Sequence, residues 1–137
     1  MDTSFAIALI SKTDANHSAA LQIAQQLPRF RIVTSHAVMF EIGNTLSKKQ
    51  YRLQGIKFLK SLECDPQVEV VTITPILYKK TFELFCHYHD KSWGLVDCSS
   101  FVIMKQQAIN FALTADRHFQ QADFKALLLE PYWLSLH

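Results

Sequence analysis

Along this 137-residue chain, stretches with helical periodicity alternate with short apolar runs that show no inside–outside alternation, and this pattern most narrows the fold. The runs are Phe30–Thr34 (FRIVT), Val68–Ile73, Asn110–Thr114 (NFALT) and Ala126–Leu129, all of strand length. A strand that is apolar on both sides is buried on both sides, which calls for helices over each face of a parallel sheet. Between the runs lie the helices. Phe5–Ile10 opens a short one, and Asp14 is a candidate N-cap for a second that runs to Leu27, ahead of Pro28. Ser35 can cap a third, in which Val38, Ile42 and Leu46 recur at intervals of four. A fourth spans about Gln54 to Leu62. Thr74-Pro75 pairs a capping hydroxyl with proline at the first helical position, and that helix ends near Asp90. After Gly94 another helix runs from about Asp97 to Ala108. The expectation is an α/β fold in a single domain, 1–137.

Composition removes several function classes. With 49% hydrophobic and 19% charged residues the chain is not a disordered one. Three glycines and no Gly/Ser tract leave no linker. Fourteen basic against 12 acidic residues give +2, too mild a balance to announce a nucleic-acid binder. No apolar stretch reaches the ~18 residues of a membrane span. Met1-Asp2-Thr3 places an acid where a secretory leader carries basic residues, and Cys64, Cys86 and Cys98 show no CxxC spacing. Both features predict a cytoplasmic protein.

Most acids have bland explanations as caps, turn residues or partners of nearby lysines. Four stand apart. Asp97 follows Leu95-Val96 at a helix start, and Asp116 follows the run Phe111–Thr114. Asp2 precedes the first apolar stretch, and Glu41 sits at the border of an apolar helical stripe. Ligands of parallel α/β sheets bind beyond the carboxyl ends of the strands, where strand-to-helix turns converge. Carboxylates delivered there repel one another unless a cation neutralises them, and hard oxygen donors suit Mg²⁺ or Mn²⁺. Helix capping accounts for Asp97 and Asp116 singly; it accounts poorly for Glu41.

These residues carry a family likeness. Asp2-Thr3-Ser4-Phe5-Ala6-Ile7-Ala8-Leu9, Val38-Met39-Phe40-Glu41-Ile42, Leu95-Val96-Asp97-Cys98-Ser99-Ser100-Phe101 and Ala112-Leu113-Thr114-Ala115-Asp116-Arg117-His118-Phe119 resemble, in order and spacing, the motifs of PIN-domain proteins. The likeness runs from Asp2 to about Leu129. It implies a three-layer α/β domain and a Mg²⁺- or Mn²⁺-dependent endoribonuclease, of the VapC-like kind that forms the toxin of a toxin–antitoxin pair. It further implies Asp2, Glu41, Asp97 and Asp116 as metal-binding and catalytic acids, with Ser4, Ser100 and Thr114 as polar helpers. RNA, an antitoxin protein and a second copy of the chain are the implied partners. The rival reading is a catalytically impaired PIN-like module that binds RNA or a protein.

Two departures from the family pattern stand out. PIN domains usually carry an apolar strand directly before the first acid, in the middle of the sheet, and only Met1 precedes Asp2; the expectation is a central strand missing or truncated at the N-terminus. Val96 occupies a position where relatives usually have threonine. Outside the motifs, Lys48, Lys49, Arg52, Lys57 and Lys60 fall in a stretch without acids and, with Arg117, are candidates for RNA or partner contact. Arg117 and His118, beside Asp116, are placed to meet a phosphate.

Overall fold

The protein is described here by a computed structural model that covers residues 1–136. Among the described residues, seven α-helices and four short strands follow one another in the order α1 (Thr3–Ile10), α2 (His17–Ala24), β1 (Ile32–Ser35), α3 (His36–Thr45), α4 (Lys49–Cys64), β2 (Val68–Val71), α5 (Pro75–His87), α6 (Leu95–Gln106), β3 (Phe111–Ala112), α7 (Arg117–Gln121) and β4 (Lys125–Ala126). β1 pairs in parallel with β2, Ile32 opposite Val68 and Ser35 opposite Val71; β3 pairs in parallel with β4. Helices flank these strands, which is the α/β arrangement that the alternating sequence pattern calls for.

Local chemistry sets most element ends. Ser35 Oγ accepts the Val38 N–H at 3.2 Å and so starts α3 directly from β1. Thr74 Oγ1 accepts the Leu77 N–H at 3.1 Å ahead of Pro75, whose missing N–H is not needed at the first helical turn. Three expectations shift. The second helix begins after Asn16 rather than Asp14, because the Asp14 carboxylate accepts the Asn16 N–H at 2.8 Å and shapes a turn; beyond Ala24 a 3₁₀ turn at Leu27–Arg29 takes in Pro28. α4 is longer than its apolar pattern, and Gly55 in its middle lets it press on α3, where a Cβ would stand 3.0 Å from Leu46 Cβ. The strands near residues 110 and 126 shrink to two residues each.

Three apolar clusters fill the interior. Phe5, Ala8, Ala20 and Ile23 pack on Leu113, Leu127 and Leu128. Ala6 packs on Val38, Ile42 and Leu46, with Val96 against them, so the residue at the threonine position serves the core. Trp93, Cys98, Phe101, Ala112, Phe119 and Phe124 form the third. Within it Phe101 meets Phe119 edge-to-face with centroids 4.9 Å apart, and Trp93 likewise at 5.0 Å.

β1 and β3 face one another across a gap. Met1 and Asp2 cross its upper end: the Met1 amino group donates to Val33 O at 2.6 Å, and the Asp2 N–H donates to Leu113 O at 3.0 Å. Thr34 Oγ1 donates to Met1 O at 3.0 Å. Beneath them lies a cavity of about 230 Å³, lined among others by Ile32, Val33, Ile103, Met104 and Leu113.

Candidate metal centre

Four segments from distant parts of the chain deliver the acids. Asp2 stands directly before α1, Glu41 in the middle of α3, Asp97 in the first turn of α6 and Asp116 at the start of α7. Asp2 is only 6% exposed, which a carboxylate tolerates when its oxygens are hydrogen-bonded. Thr114, wholly buried, donates to Asp2 Oδ2 at 2.9 Å, and Ser4 Oγ lies 3.3 Å from the same oxygen. The Thr114 proton is committed to Asp2, so in the 3.0 Å contact between the two hydroxyls Ser4 is the donor. The Ala115 N–H reaches Ser4 Oγ at 2.9 Å, and the Asp116 N–H reaches Thr114 Oγ1 at 3.0 Å. Two of the three polar helpers, Ser4 and Thr114, therefore tie Asp2 to the backbone that presents Asp116. Ser100 lines the cavity alongside Asp2 instead.

On the opposite side Asp97 Oδ2 accepts the Gly94 N–H at 3.3 Å and lies 2.9 Å from His118 Nδ1. Asp116 Oδ1 accepts the His118 N–H at 2.9 Å and stands 3.4 Å from its Nδ1. Both acids thus act in helix starts, as capping predicted, and still turn an oxygen into the site. Ligand atoms of Asp97, Asp116 and His118 all lie within 4.8 Å of one another. His118 is the member of this group that the motif reading placed on a phosphate rather than on the acids. Its signal was the two-residue step from an N-cap, which returns the side chain over the capping carboxylate.

Burial raises the Glu41 carboxyl above its ordinary range; a hydrogen bond from Thr3 opposes this, and repulsion from Asp2, Asp97 and Asp116 adds to it. Burial likewise raises Asp97, the His118 contact opposes it, and Asp116 and Asp2 push it further. Every one of the four carboxylates therefore enters the same electrostatic neighbourhood. Among the described residues, the ion pairs of Asp97 and Asp116 are with His118 alone. A set of hard carboxylate oxygens with one imidazole and too little positive charge fits a divalent cation such as Mg²⁺ or Mn²⁺.

Lys48, Lys49 and Arg52 are exposed around the start of α4, and Arg117 is exposed at the start of α7. The first three stand outside the hydrogen-bond network of the acids; Arg52 Nε donates to Ser47 O at 3.0 Å.

Residues 1–125 match the PIN domain family. The chain belongs to that family. Among its relatives is the 23S rRNA-specific endonuclease VapC20 of Mycobacterium tuberculosis, from strains CDC 1551 / Oshkosh and ATCC 25618 / H37Rv, each 26% identical over 124 residues. The match spans 90% of this chain and 93% of the relative. The crystal structure of M. tuberculosis VapC20, described as a Sarcin-Ricin loop cleaving toxin, superposes with a TM-score of 0.82 at 25% identity, covering 90% of this chain and 93% of that one. As a PIN domain, the chain has the helix-flanked parallel strands of that fold. No helix among the described residues is long and apolar enough to cross a membrane.

Proposed function

We propose that the chain is an endoribonuclease that hydrolyses RNA phosphodiester bonds with Mg²⁺ or Mn²⁺, and that it is the toxin of a toxin–antitoxin pair. The observation that carries the reading is the convergence of Asp97, Asp116 and His118, with Glu41 and Asp2 coupled to them electrostatically. Asp97, Asp116 and His118 hold the ion, Glu41 completes the negative field, and Asp2 is fixed by Thr114. An ion so held supplies a water of lowered pKa and offsets charge on the phosphate during hydrolysis. Lys48, Lys49, Arg52 and Arg117 draw the RNA backbone towards the acids. Kinship with VapC20, named for cleaving 23S rRNA, supports the toxin role.

Partners of such a protein need apolar surface. The rings of Tyr78, Phe82 and Phe85 stack along the outside of α5 at 6.2 and 6.3 Å, and Leu53 and Ile56 are exposed on α4. We assign these faces to a second copy and to the antitoxin protein.

The decisive experiment is cleavage of a fluorescently labelled single-stranded RNA with MnCl₂, with EDTA, and with Asp97→Asn. We expect cleavage with Mn²⁺, none with EDTA, and a loss on the order of a hundredfold or more in Asp97→Asn. Cleavage that survives both EDTA and the substitution overturns the reading. Tight RNA binding with no cleavage under any metal favours the impaired module instead.

A further inference from the structure

We propose that Phe40 is a stacking platform for one nucleobase of single-stranded RNA, beside the phosphate that meets the candidate metal centre. This rests on the ribonuclease reading for the class of ligand, and it adds a contact that positions one nucleotide next to the acids.

Phe40 is 75% exposed, more than any other large apolar residue among the described residues. A single exposed apolar side chain is ordinary on a protein surface; the place of this one is not. α3 completes its buried face without Phe40, through Val38, Met39 and Ile42, with Leu46 just beyond its end. None of the three apolar clusters takes in the ring. Glu41 follows directly, about 100° further around the helix, so ring and carboxylate leave α3 on adjoining faces. His36 and Asn44, both exposed, stand one turn before and one turn after Phe40 on the same row. Beyond Asn44 the chain turns towards the exposed Lys48 and Lys49.

A nucleobase suits a lone ring in such surroundings. It offers a flat face for stacking and a polar edge, and neighbours such as His36 and Asn44 carry donors and acceptors for that edge. A protein partner is gripped instead by apolar side chains that adjoin one another, as Tyr78, Phe82 and Phe85 do along α5. Phe40 has polar residues along its row and a carboxylate on its flank. The phosphates that border a stacked base also find cations here: an ion held by Asp97, Asp116 and His118 at the acids, and Lys48 and Lys49 where the row leads. Stacking tolerates every base but requires one that is splayed out of a helix, so the ring favours single strands over duplex.

The test uses the full chain and two short, fluorescently labelled phosphodiester oligomers built from abasic tetrahydrofuran units. One carries a single central adenine and the other has no base, so the register of binding cannot blur the result. Binding is read by fluorescence anisotropy, with CaCl₂ in place of MnCl₂. We expect the adenine to strengthen binding to the unsubstituted protein by about tenfold. Phe40→Ala should lose that gain while binding the baseless oligomer as before, and Phe40→Trp should keep it. Because Phe40 is exposed, the alanine variant is expected to melt within about 2 °C of the unsubstituted protein. No gain from adenine in the unsubstituted protein overturns the proposal, as does equal weakening of both oligomers by Phe40→Ala. A gain that survives Phe40→Ala overturns it too and leaves the ring to a protein partner. None of these outcomes is read from RNA cleavage: a protein that shows the Phe40-dependent gain and cuts no RNA with MnCl₂ overturns the ribonuclease reading alone.

Discussion

The acids of the candidate metal centre rest on two unlike foundations. Asp97 and Asp116 flank a filled aromatic interior, where Phe101 is 1% exposed and touches Trp93, Phe119 and Phe124. Asp2 stands over a cavity of about 230 Å³ and is held by hydroxyls and by two backbone bonds at the end of a gap. Packing fixes the first pair, because interlocked rings leave their helices one place to sit. Polar bonds fix the second, among them the one that the buried Thr114 hydroxyl donates to Asp2. The comparison teaches that a single constellation of carboxylates can be half scaffolded by a core and half suspended from a network.

The largest effect is expected on the filled side. Phe101→Ala removes the centre of the aromatic cluster and should lower stability by about 3–5 kcal/mol, measured by urea unfolding. A loss below about 1 kcal/mol would mean that the cluster collapses around the hole and that the two foundations differ less than their geometry implies. On the suspended side, Thr114→Val keeps shape and deletes the hydroxyl that donates to Asp2 and accepts from Asp116. A loss of about 1.5–3 kcal/mol is expected in the same assay, together with weaker Mn²⁺ binding.

Overpacking sharpens the contrast further. Ile103→Phe adds volume into the cavity and should change stability by less than about 1 kcal/mol, whereas Cys98→Leu adds volume to the filled cluster and should cost about 1–3 kcal/mol. Equal penalties would show that the cavity walls are as unyielding as the core.

The smallest effect is electrostatic. Glu41 and Asp97 have carboxyl pKa values raised on folding, so their contribution to stability is fully present below the ordinary carboxylate value of about 4 and is lost as pH rises through the raised values. The metal-free protein should therefore melt at lower temperature as pH climbs through that window, relative to a Glu41→Gln, Asp97→Asn double variant that lacks both charges. MnCl₂ at neutral pH should raise the melting temperature of the unsubstituted protein and leave the double variant nearly unmoved. Parallel melting curves for the two metal-free proteins across the same pH range would break the argument.

Much of this was legible in the residues themselves. The Ser35 and Thr74 caps, the run Phe5–Ile10 that lies within helix α1 and the alternation of helices with apolar strands all follow from interactions within a few positions of one another, which is the range that sequence patterns record. The acids could be picked out because a carboxylate at the edge of an apolar stripe is energetically odd wherever it lands, as Glu41 shows. Strand length was less legible: Asn110–Thr114 reads as a five-residue strand around the apolar Phe111, Ala112 and Leu113, yet pairing with β4 extends only over Phe111 and Ala112, and pairing is decided by the partner.

What the chain determined alone was its local structure and its inventory of chemically awkward residues, because propensity, capping and periodicity act over one or two turns. The tertiary structure decided the rest. It placed His118 between Asp97 and Asp116, divided the strands into two pairs, and hung Asp2 from Thr114, 112 positions away along the chain. Each of those outcomes is a distance between residues far apart in sequence, and such distances come into being only when the clusters around Phe5, Ile42 and Phe101 pack and bring their helices to rest.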